Sequence, residues 1–261
     1  MELPFFWVDA FTEKAFGGNP AAVVPLDSWP EDALLQRMAN QHGLSETAFF
    51  VRTATARAQL RWFTPAVEVD LCGHATLAAA HVLFAELGQR ESPIVFDTQS
   101  GPLPVHRKGT LYELDFPARP AHPASPPTEL LKGLGCAPAL TFKAERMWLC
   151  VYATQAEVLA LSPDHALLSG VIPGRIIATA PGIDADFVSR FFAPDAGVPE
   201  DPVTGSAHST LVPYWAARLA KTKLFARQVS RRGGELWCEL AGDRVRIAGR
   251  AATYIRGRAS F

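Results

Sequence analysis

The sequence has no two cysteines at the spacing of a metal or redox pair. Its four cysteines, Cys72, Cys136, Cys150 and Cys238, are scattered, which argues against a structural zinc site and against a disulfide framework. It also lacks a long apolar run: nothing approaches the roughly 20 residues that span a bilayer. The opening stretch MELPFFWVDAF has no basic segment and no small-residue cleavage site, so no secretory signal is expected. Charge imbalance is missing as well. Lys and Arg number 25 and Asp and Glu 26, for a formal net charge of −1, which gives no support for nucleic acid or an anionic membrane as partner. These absences together predict a cytoplasmic protein acting on a small molecule.

What is present is a chain of 261 residues, 48% hydrophobic, enough to bury one large core or two smaller ones. Residues 5–11 alternate as a strand, a Gly-Gly-Asn-Pro turn follows at 17–20, and 21–24 reads as a second strand. The segment DSWPEDALLQRMANQHG reads as a helix, with Ser28 as N-cap, Glu31 as its capping-box partner, and Gly43 as the stop. Glu46 then opens the next strand, beside the apolar run Ala48-Phe49-Phe50-Val51. Further strands are expected at 58–63, 94–98, 103–106, 111–116, 147–152, 175–180 and within 236–247. The Pro- and Ala-rich stretch around 117–138 is the best candidate for a connection between domains, with a short helix at 129–134. The expected division is 1–118 and 119–261, with the last strand packing on the N-terminal lobe.

The two halves share a pattern. RWFTPAVEVDLCGHATLAAAHVLFAEL, starting at Arg61, and SRFFAPDAGVPEDPVTGSAHSTLVPYWAARL, starting at Ser189, both contain Phe-x-Pro, then an Asp, then Gly-x-Ala opening an apolar helix. Counted from the glycines, Ala75 matches Ala207 and Leu87 matches Leu219, while the Pro-to-Gly spacing differs by three residues. Such a repeat suggests two similar loop–helix units across a pseudo-twofold axis, with a small-molecule site in the cleft.

Each of these helices opens with small residues: Gly73-His74-Ala75 and Gly205-Ser206-Ala207. The first N–H groups of a helix lack internal partners and carry partial positive charge, so a substrate carboxylate can approach them. His74 is a candidate acid or hydrogen-bond donor, and Asp201 is brought to the cleft by the repeat. Cys72 raises the mechanism of the two-cysteine racemases, but the matching stretch 200–206 offers no second cysteine. The remaining histidines, His42 and His81 among them, read as structural.

Five stretches, GGNPAAVV, GLSETAFF, LRWFTP, LCGHATLAAA and EDPVTGSAH, occur in an order that resembles the phenazine-biosynthesis PhzF-like proteins, within the diaminopimelate epimerase-like superfamily. The resemblance spans nearly the whole chain and implies an α+β fold of two similar lobes in a pseudo-twofold arrangement, each a curved, barrel-like sheet around a central helix. Those helices would be about 74–87 and 206–219, with Pro213 kinking the second or delaying its regular start. It further implies a homodimer and a site that needs neither metal nor organic cofactor.

In the phenazine enzyme a glutamate moves a proton between two ring carbons of trans-2,3-dihydro-3-hydroxyanthranilate. By resemblance that glutamate is Glu46, with His74 and Asp201 assisting. Gly73, His74, Gly205 and Ser206 would hold the substrate carboxylate, and Asn19 and Ser45 would lie close by. Cys72 becomes a packed thiol. Phe49 and Phe50 are expected to shield Glu46 from water. The function implied is a cofactor-independent isomerase acting on a small carboxylate-bearing substrate, such as a cyclic amino acid of the dihydroanthranilate type. The alternatives are an epimerase or racemase, with Cys72 or Asp201 as a second base, and a non-catalytic metabolite-binding member of the family. Around 228–234 the sequence QVSRRGG departs from the pattern of many relatives, and no site residue is assigned there.

Overall fold

The computed structural model describes residues 2–260. Two compact units are present. One runs to Asp115 and resumes at Ala248; the other is Phe116–Ile247.

In the first unit β1 (Glu2–Ala10) pairs antiparallel with β2 (Asn19–Leu26) on one side and with the C-terminal strand Ala251–Ser260 on the other. The β1–β2 connection is tight: Gly18 has φ +60, and a Cβ there would stand 2.1 Å from the Ala10 carbonyl oxygen. Only glycine fits, and the turn delivers Asn19 opposite Ala10.

Helix α1 (Asp32–His42) follows. Its N-cap is Glu31, not Ser28, and no side chain caps it. The expected capping box fails because Pro30 biases Trp29 toward extended backbone, so helical geometry begins only after Glu31, whose carbonyl accepts from Leu34 N–H at 2.9 Å. A missing cap costs about 1 kcal/mol. Each buried large side chain contributes about 1.5–3 kcal/mol, and Leu35 and Met38 pack into a core with Val24, Phe49 and Phe63. Packing wins. The helix ends as expected at Gly43, φ +64.

The chain then enters β3 (Glu46–Ala54), parallel to β2, and β4 (Arg57–Phe63), antiparallel to β3. A two-residue strand, β5 (Glu68–Val69), leads into α2 (Gly73–His81). Every residue of α2 from His74 to His81 is buried. The helix packs against β1, β2 and β3, and its run of alanines lets those strands come close. It continues as a π-helical turn, Val82–Glu86, closed by Leu87 N–H on the Val82 carbonyl at 2.9 Å. Strands β6 (Ile94–Thr98), β7 (Gly101–Lys108) and β8 (Leu111–Pro117) complete the unit, with β6 parallel to β4.

The second unit repeats this plan. Its elements are β9 (His122–Pro123), α3 (Thr128–Leu134), β10 (Leu140–Lys143), β11 (Met147–Val151), α4 (Gln155–Ala160), α5 (His165–Leu168), β12 (Arg175–Pro181), β13 (Phe187–Ala193) and β14 (Val198–Asp201). Then come a 3-10 turn at Gly205–Ala207, α6 (His208–Leu219), β15 (Lys223–Gln228), β16 (Gly234–Ala241) and β17 (Arg244–Gly249). Pairing runs antiparallel β10–β11, parallel β11–β12, antiparallel β12–β13, parallel β13–β15 and antiparallel β15–β16. The first unit has the same order of directions through β1, β2, β3, β4, β6 and β7.

Strand β13 was not expected from the sequence. Pro213 lies inside α6. The N–H it lacks would have reached the Ser209 carbonyl, and that carbonyl instead accepts from Arg119 N–H at 2.8 Å. The regular helix also starts late, after the 3-10 turn.

Candidate active site

The strand registers pair Trp62 with Val69 in the first unit and Phe191 with Asp201 in the second. This alignment corrects one detail of the repeat. Asp201 corresponds to Val69, and Asp70 corresponds to Pro202, so the two aspartates are not equivalent. The second loop, three residues longer, opens with a 3-10 turn, Pro194–Ala196, ended by Gly197 at φ +76.

In the first unit, three of the expected site residues meet. Glu46 is the first residue of β3, opposite Ala21 of β2. His74 is the second residue of α2, and Asn19 opens β2. His74 Nε2 lies 3.2 Å from Glu46 Oε2. The contact is close but off-line: neither atom makes a geometrically sound hydrogen bond, so we treat it as an ion-pair contact. On the other edge of the ring, Nδ1 lies 3.2 Å from Asn19 Nδ2 and 3.5 Å from Cys72 Sγ. Asn19 and His74 are buried, and the Glu46 side chain keeps 20% of its exposure. Ser45, next to Glu46, and Gly73, at the helix start, are half-buried.

Burial by itself disfavours an imidazolium at His74. The charges of the acidic neighbours Cys72 and Glu46 outweigh it and hold His74 well above its ordinary value. Burial pushes the Cys72 thiol up, and the Glu46 charge adds to that. The His74 ring opposes this rise by charge and hydrogen bonding without cancelling it. A protonated Nδ1 needs an acceptor, which the Asn19 amide supplies once its N and O are exchanged, an assignment made from the network.

The expected shielding by both phenylalanines is corrected. Side chains alternate along a strand, and Phe49 packs on the opposite face, against α1 and Phe63. Phe50 shares the Glu46 face but is four residues on, roughly 13 Å at a strand's rise. What closes over Glu46 is His74.

Glu46, Cys72 and His74 offer donor atoms within 4.8 Å of one another, a set whose chemistry suits zinc. The geometry does not. Cys72 faces Nδ1 and Glu46 faces Nε2, so an ion on one nitrogen leaves the other acid across the ring. His42, expected to be structural, bonds Thr47 Oγ1 through Nδ1 at 2.9 Å.

In the second unit, Asp201 ends β14 and is half-buried. The Thr204 hydroxyl donates to its Oδ2. Gly205 is buried and Ser206 half-buried at the 3-10 turn. Sequence reasoning passed over Gln228, which bonds Thr204 N–H and the Asp201 carbonyl at 2.8 and 2.7 Å. The signal was a lone glutamine at a strand end before a glycine-containing turn, too common to single out.

Both the geometry and the chain's relatives point the same way. The sequence profile described as phenazine biosynthesis-like protein matches residues 8–257. An uncharacterized isomerase of Pseudomonas aeruginosa is 50% identical over 258 residues, covering 99% of this chain and 98% of that one. The crystal structure of a PhzF-family phenazine biosynthesis protein from Enterococcus faecalis superposes with a TM-score of 0.97 at 44% identity, covering 100% of both chains. A hydroxyproline epimerase from Agrobacterium vitis shares the fold alone, with a TM-score of 0.63 at 12% identity over 98% of this chain and 92% of that one. The chain belongs to the phenazine biosynthesis-like, or PhzF, family. Its fold is the α+β fold of the diaminopimelate epimerase-like proteins, and relatives named as isomerases support an isomerase-type enzyme. Among the described residues no helix is long and apolar enough to cross a membrane.

Proposed function

We propose that this chain is a cofactor-independent isomerase that moves a proton between carbons of a small carboxylate-bearing substrate, with Glu46 as the acid/base. The observation that carries this reading is the Glu46–His74 contact at 3.2 Å, in a buried cluster that Asn19 and Cys72 complete on the other edge of the ring. A carboxyl group beside a second proton-carrying side chain can accept a proton from a carbon and later return it. The C–H electron pair passes into the substrate's conjugated system as the proton moves to a Glu46 oxygen. Glu46 then returns the proton to a second carbon on the same face, and the electron pair there forms the new C–H bond. One group serves both steps. His74 offers a positive neighbour for the charge that develops on the substrate.

Asp201 as an assisting catalytic group, and the helix-start groups at Gly73, Gly205 and Ser206 as substrate-binding groups, are assigned on the strength of the repeat and the family resemblance. The epimerase alternative needs a second base. Burial of Cys72 weighs against the thiol in that role, which leaves Asp201.

The test is a screen of small carboxylic acids in D2O. The substrate should gain deuterium at carbon with the native protein and not with Glu46→Gln. Full exchange in that variant would sink the assignment, and inversion of a stereocentre would favour the epimerase.

A further inference from the structure

The turn that carries Asp201 is held from the end of β15. Gln228 is 1% exposed. Its Oε1 accepts from Thr204 N–H at 2.8 Å, and its Nε2 donates to the Asp201 carbonyl at 2.7 Å and to Thr204 Oγ1 at 3.3 Å. The Thr204 hydroxyl in turn donates to Asp201 Oδ2. Because a Gln228 N–H occupies one lone pair of that hydroxyl, its proton is aimed at the carboxylate. Two residues on, Ser230 Oγ donates to the Pro202 carbonyl at 2.7 Å. The first unit has the matching serine contact, Ser100 Oγ to the Asp70 carbonyl at 2.7 Å. At the place of Gln228 it has Thr98, whose hydroxyl turns to the Gly101 carbonyl at 2.7 Å. The glutamine clamp therefore belongs to the second unit alone, where the turn bears an acid.

We propose that Gln228 is a positioning residue for Asp201. Through Thr204 it fixes the direction of the Asp201 carboxylate and the placement of the N–H groups that follow at Gly205 and Ser206. The functional weight of this role rests on the proposed place of Asp201 in the site. Any frame-holding residue lowers stability when removed. A positioning residue also changes how the group it orients behaves.

The experiment follows the side-chain carboxyl carbon of Asp201 by NMR through a pH titration of the full chain. Gln228→Met and Thr204→Val should each move the Asp201 midpoint upward by roughly half to one pH unit, because a hydrogen bond to the charged form is lost or loosened. Thr204→Ser, which keeps the hydroxyl, should restore the native midpoint. Glu200 is held by Arg190 at 2.7 and 2.8 Å and serves as the control that does not move. If Gln228→Met fails to fold, Thr204→Val decides, since it keeps the side-chain volume and the Thr204 N–H contact. A midpoint within about 0.2 pH units of native in the folded variants, whatever their melting temperature, overturns the proposal. No turnover is needed, so deuterium exchange that survived in Glu46→Gln would remove the proposed activity and leave this result standing.

Discussion

In the first unit Arg61 grips Glu68 through two bonds of 2.7 Å; in the second Arg190 grips Glu200 at 2.7 and 2.8 Å. Each glutamate stands five residues before the glycine that opens the helix. Ser100 and Ser230 each pin the carbonyl three residues before that glycine. Thr76 donates to the Cys72 carbonyl at 2.5 Å, and His208 Nδ1 contacts the Thr204 carbonyl at 2.9 Å, both four residues back. The frame is repeated to the level of single hydrogen bonds. The groups mounted on it are not. By strand register, Glu46 corresponds to Arg175, Val69 to Asp201, Cys72 to Thr204 and His74 to Ser206. Repetition of the frame with divergence of the mounted groups separates what folds the loops from what acts in them.

Substitutions at matched positions sharpen this contrast. The largest effect is expected at His74. His74→Gln should lower deuterium exchange into substrate by about 100-fold or more, whereas Ser206→Ala, at the matching position, should act mainly on KM. Equal losses of kcat at the two would break the distinction.

The braces come next. Arg190 also bonds the carbonyls of the buried Val158 and Leu161, while Arg61 adds a bond to the exposed Asp32 and lies over the Trp29 and Phe63 rings. Arg190→Met should therefore cost about 2–4 kcal/mol and Arg61→Met about 1–2 kcal/mol, read by urea denaturation. A reversed order would mean that the second brace is not the stronger.

The buried histidines set a pH dependence. Burial pushes both His208 and His81 down to about 4 from the ordinary histidine value of 6.5. Between these values the unfolded chain binds protons that the folded chain does not. The stability these two groups supply is complete above pH 6.5 and is lost as pH falls toward 4, by up to about 3 kcal/mol each. His74 has the opposite sign: its contribution is complete below pH 6.5 and is lost as pH rises through its raised value. His208→Thr copies the residue of the first unit, Thr76, and should flatten the acid-side slope of the melting temperature. An unchanged slope would place the proton uptake elsewhere. The smallest effect is expected from Ser100→Ala and Ser230→Ala, about 1 kcal/mol each and equal within error.

Much of this was legible in the sequence because it rests on local signals. The strand at 94–98, the stop at Gly43 and the two glycine-opened helices come from turn chemistry and periodicity, and the motif order fixed the family. The start of α1 was misplaced because a capping-box pattern counts for less than the backbone restriction before Pro30. Strand β13 was missed because SRFFA was absorbed into a loop–helix motif, and its parallel partner β15 lies more than thirty residues away. Glu46 and His74 stood out as candidates, but that His74 holds Asn19 and Cys72 on one edge and Glu46 on the other depends on strand register. The role of Gln228 is tertiary throughout: its partners lie 24 and 27 residues away in sequence.

The most direct test compares deuterium incorporation from D2O with Glu46→Gln and with Arg175→Gln, its counterpart in the second unit. Arg175 forms a half-exposed pair with Asp195, worth at most about 1 kcal/mol, so that variant should fold and exchange like the native protein. Glu46→Gln should fold and lose exchange. Full exchange in Glu46→Gln, or its loss in Arg175→Gln alone, would contradict the assignment of proton transfer to the first unit.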